Sequence, residues 1–316
     1  MNIRKWYLVL AAFSVPCATP AESPPTEGFV DVIGGRIWYQ TIGSGDKTPL
    51  LVIHGGPGGR SCRYLASLAQ LAERRPVIVY DQLGSGRSER PSDTTLWNVP
   101  RFVDEVSRLR EALDLDELHI LGHSWGGSVA VDYMLTKAPR GVRSLVLAGP
   151  LIDTERWIED ANALRTMLPE DVQAALTVGE ESKDFDSPEY LAATDAFYAR
   201  FLARSGWPPA PVPQCDGVGG FNIEVYEYMW GPTEFTATGT LLNFDRTDRL
   251  HELQLPVMLI VGRYDLVRPE TMLDFQRLIP GSVVEIIEDA AHGSMIDQPE
   301  RFNTVVGEFL ASVEAR

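Results

Sequence analysis

The sequence predicts an α/β architecture: a mostly parallel sheet with helices on both faces and a mainly helical insertion above it. Three observations predict it. Short apolar runs alternate with amphipathic segments of helical period, which is the pattern of strand and crossover helix. Several of those runs end in glycine-rich turns, at 54–59, 81–88 and 122–127. About a hundred residues, 151–250, then break the alternation before it resumes.

The first 21 residues read as an export signal. Arg4 and Lys5 precede an apolar run from Trp6 to Val15, and Thr19-Pro20-Ala21 supplies a small-residue cleavage site. Ten apolar residues are too few to span a bilayer, so the expectation is a periplasmic or secreted protein without stable membrane insertion. Cys17 raises lipidation, but Pro16 before it is unlike the small residue expected there. After a proline-rich linker, 28–43 alternates around Gly34-Gly35 and reads as a hairpin. The expected division is 1–21 leader, 22–150 first part of the core, 151–250 cap and 251–316 second part of the core.

A short buried strand at 50–53 runs into His54-Gly55-Gly56-Pro57-Gly58-Gly59. The loop lacks the Lys-Ser/Thr ending of a phosphate loop and is not Gly-x-Gly-x-x-Gly. It reads better as an oxyanion loop, in which backbone N–H groups must approach a reacting carbonyl closely. The next strand is 77–80, and Phe102, Val103, Val106, Leu109 and Leu113 then repeat at helical spacing.

The chain is organised around 118–128. An apolar run ends in Gly122-His123-Ser124-Trp125-Gly126, and a helical pattern follows, giving the strand, sharp turn and helix of a nucleophile elbow. Ser124 is the candidate nucleophile. Side chains at Gly122 or Gly126 would collide with the adjoining strand and helix. A serine hydroxyl is a weak nucleophile and needs a base, which in turn needs an acid to orient it.

Strands follow at 145–147, 257–261 and 283–287. Of the five histidines, His54 lies in the glycine loop, His119 inside a strand, His123 beside the serine and pointing away, and His251 before the strand after the cap. His292, in the loop after the last strand, stands where the base belongs when the order is Ser, acid, His. Asp265 ends the preceding strand and is the expected acid, with Asp289 and Asp153 as competitors that fit loop-capping roles. The N–H of Trp125 and of one of the pair Gly55 and Gly56 are the expected oxyanion donors. This chemistry requires no metal or organic cofactor. Ser124 also excludes the dehalogenases and epoxide hydrolases that use an aspartate nucleophile.

The 316 residues carry 28 basic and 44 acidic side chains, a net charge of −16. That charge repels phosphate backbones, so nucleic acid is not an expected partner. The cap holds 18 Asp or Glu against 7 Lys or Arg, or −11 of the total. A negative roof over a serine site suits a cationic amine. Any one of these acids is better read as a solvated helix face, with Glu234, embedded among Trp230, Pro232 and Phe235, as the exception. The cap aromatics read mostly as cap core, with one or two lining an apolar slot. Cys62 and Cys215 either bridge or stay as two buried thiols, and their spacing does not choose.

Together, His54-Gly55-Gly56-Pro57-Gly58, the run 81–88, Gly122-His123-Ser124-Trp125-Gly126-Gly127, Gly262-Arg263-Tyr264-Asp265 and Ala291-His292 resemble the prolyl iminopeptidase family of α/β hydrolases. In the cap, 228–235 and 245–250 are similar to the members of that family that resemble the tricorn-interacting aminopeptidase. The likeness covers nearly everything after about residue 28. It implies an α/β-hydrolase fold whose cap precedes the strand carrying the catalytic Asp. It also implies triad roles for Ser124, Asp265 and His292, and a Glu234 that holds the substrate's free amino group. Family members usually supply a second cap carboxylate, for which Glu227 and Glu224 are the candidates, and Trp230 joins the expected substrate-binding set. The implied activity is release of N-terminal residues, preferably proline, from short peptides. A prolinamide-type amide hydrolase acting on an amino acid amide is the nearest alternative. An esterase ranks lower, since an acidic cap adds nothing to binding an uncharged acyl chain, and so does a non-catalytic binding protein, since all three triad residue types are present. Oligomeric state is not legible.

Overall fold

The computed structural model describes residues 26–207 and 209–316. The leader expected over 1–21, with Cys17, lies outside them. Eight strands form one sheet: β1 (Thr26–Val32), β2 (Gly35–Ile42), β3 (Leu50–Ile53), β4 (Val77–Tyr80), β5 (Leu118–His123), β6 (Val142–Ala148), β7 (Val257–Gly262) and β8 (Val283–Ile287). Their spatial order is β1-β2-β4-β3-β5-β6-β7-β8. β1 and β2 form the expected hairpin, turned at Gly34 with φ 95°, and β2 pairs antiparallel with β4. From β4 onward every pairing is parallel.

The central strands are continuous apolar runs because both faces of the sheet are covered. Alternate residues serve opposite sides. Leu51, Ile53, Ile78 and Ile120 join the cluster under the helices Val99–Ala112 and Trp125–Lys137. Leu50, Val52, Val77 and Leu121 join the one under Pro299–Glu314, which contributes Phe302, Val305, Val306 and Leu310. β6 begins earlier than expected, because Val142 and Arg143 lie at the part-exposed strand entrance and lack the apolar signature of 145–147.

Past β6 the chain leaves the sheet at Ala148 and builds the helices Thr154–Arg165, Glu170–Ser182, Pro188–Phe201 and Ile223–Met229. It then returns as β7 directly beside β6, with Leu145 opposite Val257, so the insertion costs the sheet no pairing. Asp153 caps the first of these helices by accepting from the Glu155 N–H, the loop-capping role expected of it. Cys62 and Cys215 form a disulfide that ties the helix Cys62–Ser67, just after the glycine loop, to the segment between the third and fourth inserted helices. No helix among the described residues is long and apolar enough to cross a membrane.

Candidate active site

The turn after β5 has the strain that its glycines foreshadow. Ser124 sits at φ 57°, ψ −125°, a region that side chains rarely occupy, between the strand and the helix Trp125–Lys137. Its N–H donates to the Ala148 carbonyl at 2.9 Å and its own carbonyl accepts from Gly127 at 2.8 Å, which fixes the elbow. A Cβ at Gly126 would lie 2.1 Å from the Ile53 carbonyl oxygen, and one at Gly122 2.5 Å from that of Gly126. Neither position tolerates a side chain.

His292 and Asp265 arrive on the loops after β8 and β7. His292 Nδ1 donates to Asp265 Oδ1 at 2.8 Å, and that oxygen also accepts the Val267 N–H at 3.1 Å. The bond puts the proton of the neutral ring on Nδ1 and leaves Nε2 as the acceptor. Burial disfavours the imidazolium, but the charges of Asp265 and then Glu234 outweigh it, so the His292 pKa is raised above its ordinary value. Gly149, which the sequence reading passed over, makes room for the pair. A Cβ there would meet His292 Nδ1 at 2.8 Å and Asp265 Oδ2 at 2.9 Å. Trp157 stands edge-on to the imidazole, with ring centroids 5.4 Å apart.

Ser124 and His292 line one cavity of about 350 Å³. The serine hydroxyl makes no hydrogen bond to another described residue. Catalytic hydrogen bonds commonly tighten only around substrate.

His123, expected merely to point away from the nucleophile, belongs to a directed chain. Its Nε2 lies 3.0 Å from the His292 carbonyl oxygen, which only accepts, so Nε2 carries the proton and Nδ1 accepts from the Tyr64 hydroxyl at 2.9 Å. Tyr64 in turn accepts the Gly55 N–H at 3.2 Å. Burial, with the His292 charge second, lowers His123 to about 3, and burial raises Tyr64 to about 12, so both remain neutral. The chain narrows the oxyanion expectation. Gly55 has given its N–H to Tyr64, whereas the N–H groups of Gly56 and Trp125 donate to no described residue, Trp125 because it opens a helix.

Among the described cap residues, only Glu234 brings a carboxylate to the cavity wall. Its backbone is held at both ends: the N–H donates to the Tyr198 hydroxyl at 3.0 Å, and the carbonyl accepts from Trp157 Nε1 at 2.9 Å. Withdrawal from water raises its pKa, while the nearby His292 lowers it in part. The negative roof is therefore narrower than the composition suggests, because the other cap acids do not line the cavity. Glu227 and Glu224 are exposed on the helix Ile223–Met229, whose inner side is taken by Val225, Tyr226 and Met229, so neither is the second carboxylate of this wall. Trp230 is also displaced from its expected place. It is buried, donates from Nε1 to the Thr233 carbonyl and packs against Trp157 at 5.9 Å, supporting the wall from behind. The apolar lining comes instead from Leu202, Trp207, Phe221 and Ile296.

The second carboxylate on the wall is Asp297, outside the cap and absent from the sequence reading. It is already engaged, accepting the N–H groups of Ala291, Arg204 and Ser205 at 2.9, 3.2 and 2.7 Å. It thereby joins the His292 loop to the end of the third inserted helix. No signal in the sequence marks it, since its partners are backbone groups brought together by tertiary folding. No cluster of three metal-ligating side chains occurs among the described residues.

The family profile of the alpha/beta hydrolase fold matches residues 48–299. The proline iminopeptidase of Heyndrickxia coagulans is 45% identical over 289 residues, covering 91% of this chain and 99% of that protein. The chain belongs to the proline iminopeptidase family of α/β hydrolases. The proline iminopeptidase of Clostridium botulinum is 34% identical, covering 90% and 98%. Among solved structures, the proline iminopeptidase of Mycobacterium smegmatis superposes with a TM-score of 0.81 at 32% identity, over 92% of this chain and 99% of that one. VinJ superposes at 0.83 and 33%, over 92% and 100%.

Proposed function

We propose that this family member is a serine aminopeptidase that releases N-terminal residues, preferably proline, from short peptides. The observation that carries the reading is the placement of one cap carboxylate, Glu234, on the same cavity wall as Ser124 and His292. An amine held there brings the adjoining acyl carbon to the hydroxyl, and the family's proline iminopeptidases support the substrate class.

In this reading His292 Nε2 takes the proton of Ser124 Oγ as the oxygen attacks the carbonyl, while Asp265 holds the ring and its charge. The N–H groups of Gly56 and Trp125 receive the oxyanion. The tetrahedral intermediate collapses, the departing amine takes the proton from His292, and a prolyl ester remains on Ser124. Water, deprotonated by the same imidazole, releases proline and restores the serine.

Ser124→Ala is expected to reduce turnover of a prolyl arylamide by at least about 10⁴-fold without changing the circular dichroism spectrum. Activity persisting in that variant would sink the mechanism. The leader-like 1–21 segment and the Cys62–Cys215 bridge, which suits an oxidising compartment, support export to the periplasm or beyond. Cell fractionation with N-terminal sequencing of the mature chain tests it.

A further inference from the structure

The side chains that line the cavity are not all acidic or apolar. Arg60 and Arg63, from the core segment just after the glycine loop, also line it. In an acidic chain most guanidiniums find a carboxylate, as Arg75 does with Glu314, Arg165 with Glu180 and Arg246 with Asp132. These two pair with no acid among the described residues. Arg60 donates only to the Gly219 carbonyl, at 3.4 Å, and Arg63 makes no hydrogen bond to a described residue although it is half-buried. Burial and the neighbouring Arg60 both disfavour the Arg63 charge, lowering its pKa. Asp297, on the same wall, makes no ion pair with either arginine and turns its oxygens to three backbone N–H groups instead.

A partly desolvated, unpaired guanidinium gains most from an anion that arrives with the ligand. The cavity thus offers a carboxylate from the cap and two guanidiniums from the core, with the Ser124 hydroxyl in the same space. A short peptide with both ends free carries the complementary pattern, an ammonium at one end and a carboxylate at the other. We infer that Arg63, assisted by Arg60, binds the free C-terminal carboxylate of the departing portion of the substrate, making unblocked di- and tripeptides the preferred class over amides and arylamides. This rests on the aminopeptidase reading above and decides the leaving group within it.

The test compares kcat/KM for Pro-Ala, Pro-Ala amide and a prolyl arylamide, in the wild type and in Arg63→Gln, Arg63→Lys and Arg60→Gln. The wild type is expected to favour the free acid over the amide by about tenfold, equivalent to ~1.4 kcal/mol. That ratio should fall towards one in Arg63→Gln, be partly kept in Arg63→Lys, and shrink as salt is raised on the wild type. The salt series needs no variant and keeps the test valid if Arg63→Gln folds poorly. Equal rates on acid and amide in the wild type, or an unchanged ratio in Arg63→Gln, overturn the carboxylate site while arylamide cleavage leaves the aminopeptidase reading standing. A wild type that cleaves none of the three overturns both.

Discussion

Two effects are expected of Glu234, and they separate experimentally. As an anion it is suited to hold a protonated amine, and it also helps raise the pKa of His292. Glu234→Gln should therefore depress kcat/KM strongly for substrates with a free amine and little for an N-acetylated prolyl ester. On that ester, where amine binding plays no part, the acid limb of the kcat/KM profile should move to lower pH, because the base loses a neighbour that favours its protonated form. Equal loss on both substrates, or a stationary limb, would count against this account. Ser124, Asp265 and His292 were legible as single residues because each lies in the turn or loop that follows a recognisable strand, in a fixed order. Gly149, Tyr64 and Asp297 were not, because what matters at each is a residue remote along the chain, His292 for Gly149 and His123 for Tyr64, or backbone groups with no identity in the sequence, as for Asp297.

The helix Cys62–Ser67 shows how one short element carries several duties. It begins with the disulfide to Cys215, presents Arg63 to the cavity, and places the Tyr64 hydroxyl between Gly55 and His123. With only six residues it has little helical stability of its own, so its position depends on what it is tied to. The bridge closes a loop spanning 153 positions, and removing such a link costs roughly 2–4 kcal/mol. Reduction, or Cys62→Ser with Cys215→Ser, should lower the urea midpoint accordingly and raise KM for short peptides as the cavity wall loosens. An unchanged midpoint after verified reduction would show that the cap segment holds without the link. Most strand boundaries in the core were readable from apolar runs, with the start of β6 as the exception. The course of the segments 202–222 and 230–246 was not, since no periodic signal governs irregular chain that is held by side chains such as Asn222 on the Gly84 carbonyl.

Across the whole molecule, three histidines are buried with lowered pKa values. Burial, with Arg75 second, lowers His119 to about 4; burial, with the His292 charge second, lowers His123 to about 3; and burial, partly opposed by Asp81, lowers His54. In the unfolded chain each would take up a proton near pH 6.5, while the folded protein resists until much lower pH. Their contribution to stability is therefore complete above about pH 6.5 and is lost as pH falls towards 4, at up to ~1.4 kcal/mol per pH unit for each group. His292, whose pKa is raised, works in the opposite direction and offsets part of it. Chemical denaturation at pH 7, 5.5 and 4 should show a falling midpoint, and a flat series would refute the balance.

The sequence by itself determined the parallel sheet, the helical insertion and the strained serine turn, because these follow from local periodicity and from glycines that only one backbone geometry requires, and chain order singled out Asp265 and His292 as the pair that the fold brings together. Tertiary structure alone decided that Gly56 rather than Gly55 keeps a free N–H, that Glu227 faces outward, that Trp230 is buttress rather than lining, and that Cys62 meets Cys215. Composition made the cap look uniformly acidic, whereas the cavity sets one cap carboxylate against two unpaired guanidiniums from the core. Charge counts are blind to direction, and which side chains face the substrate is fixed only when distant segments pack together.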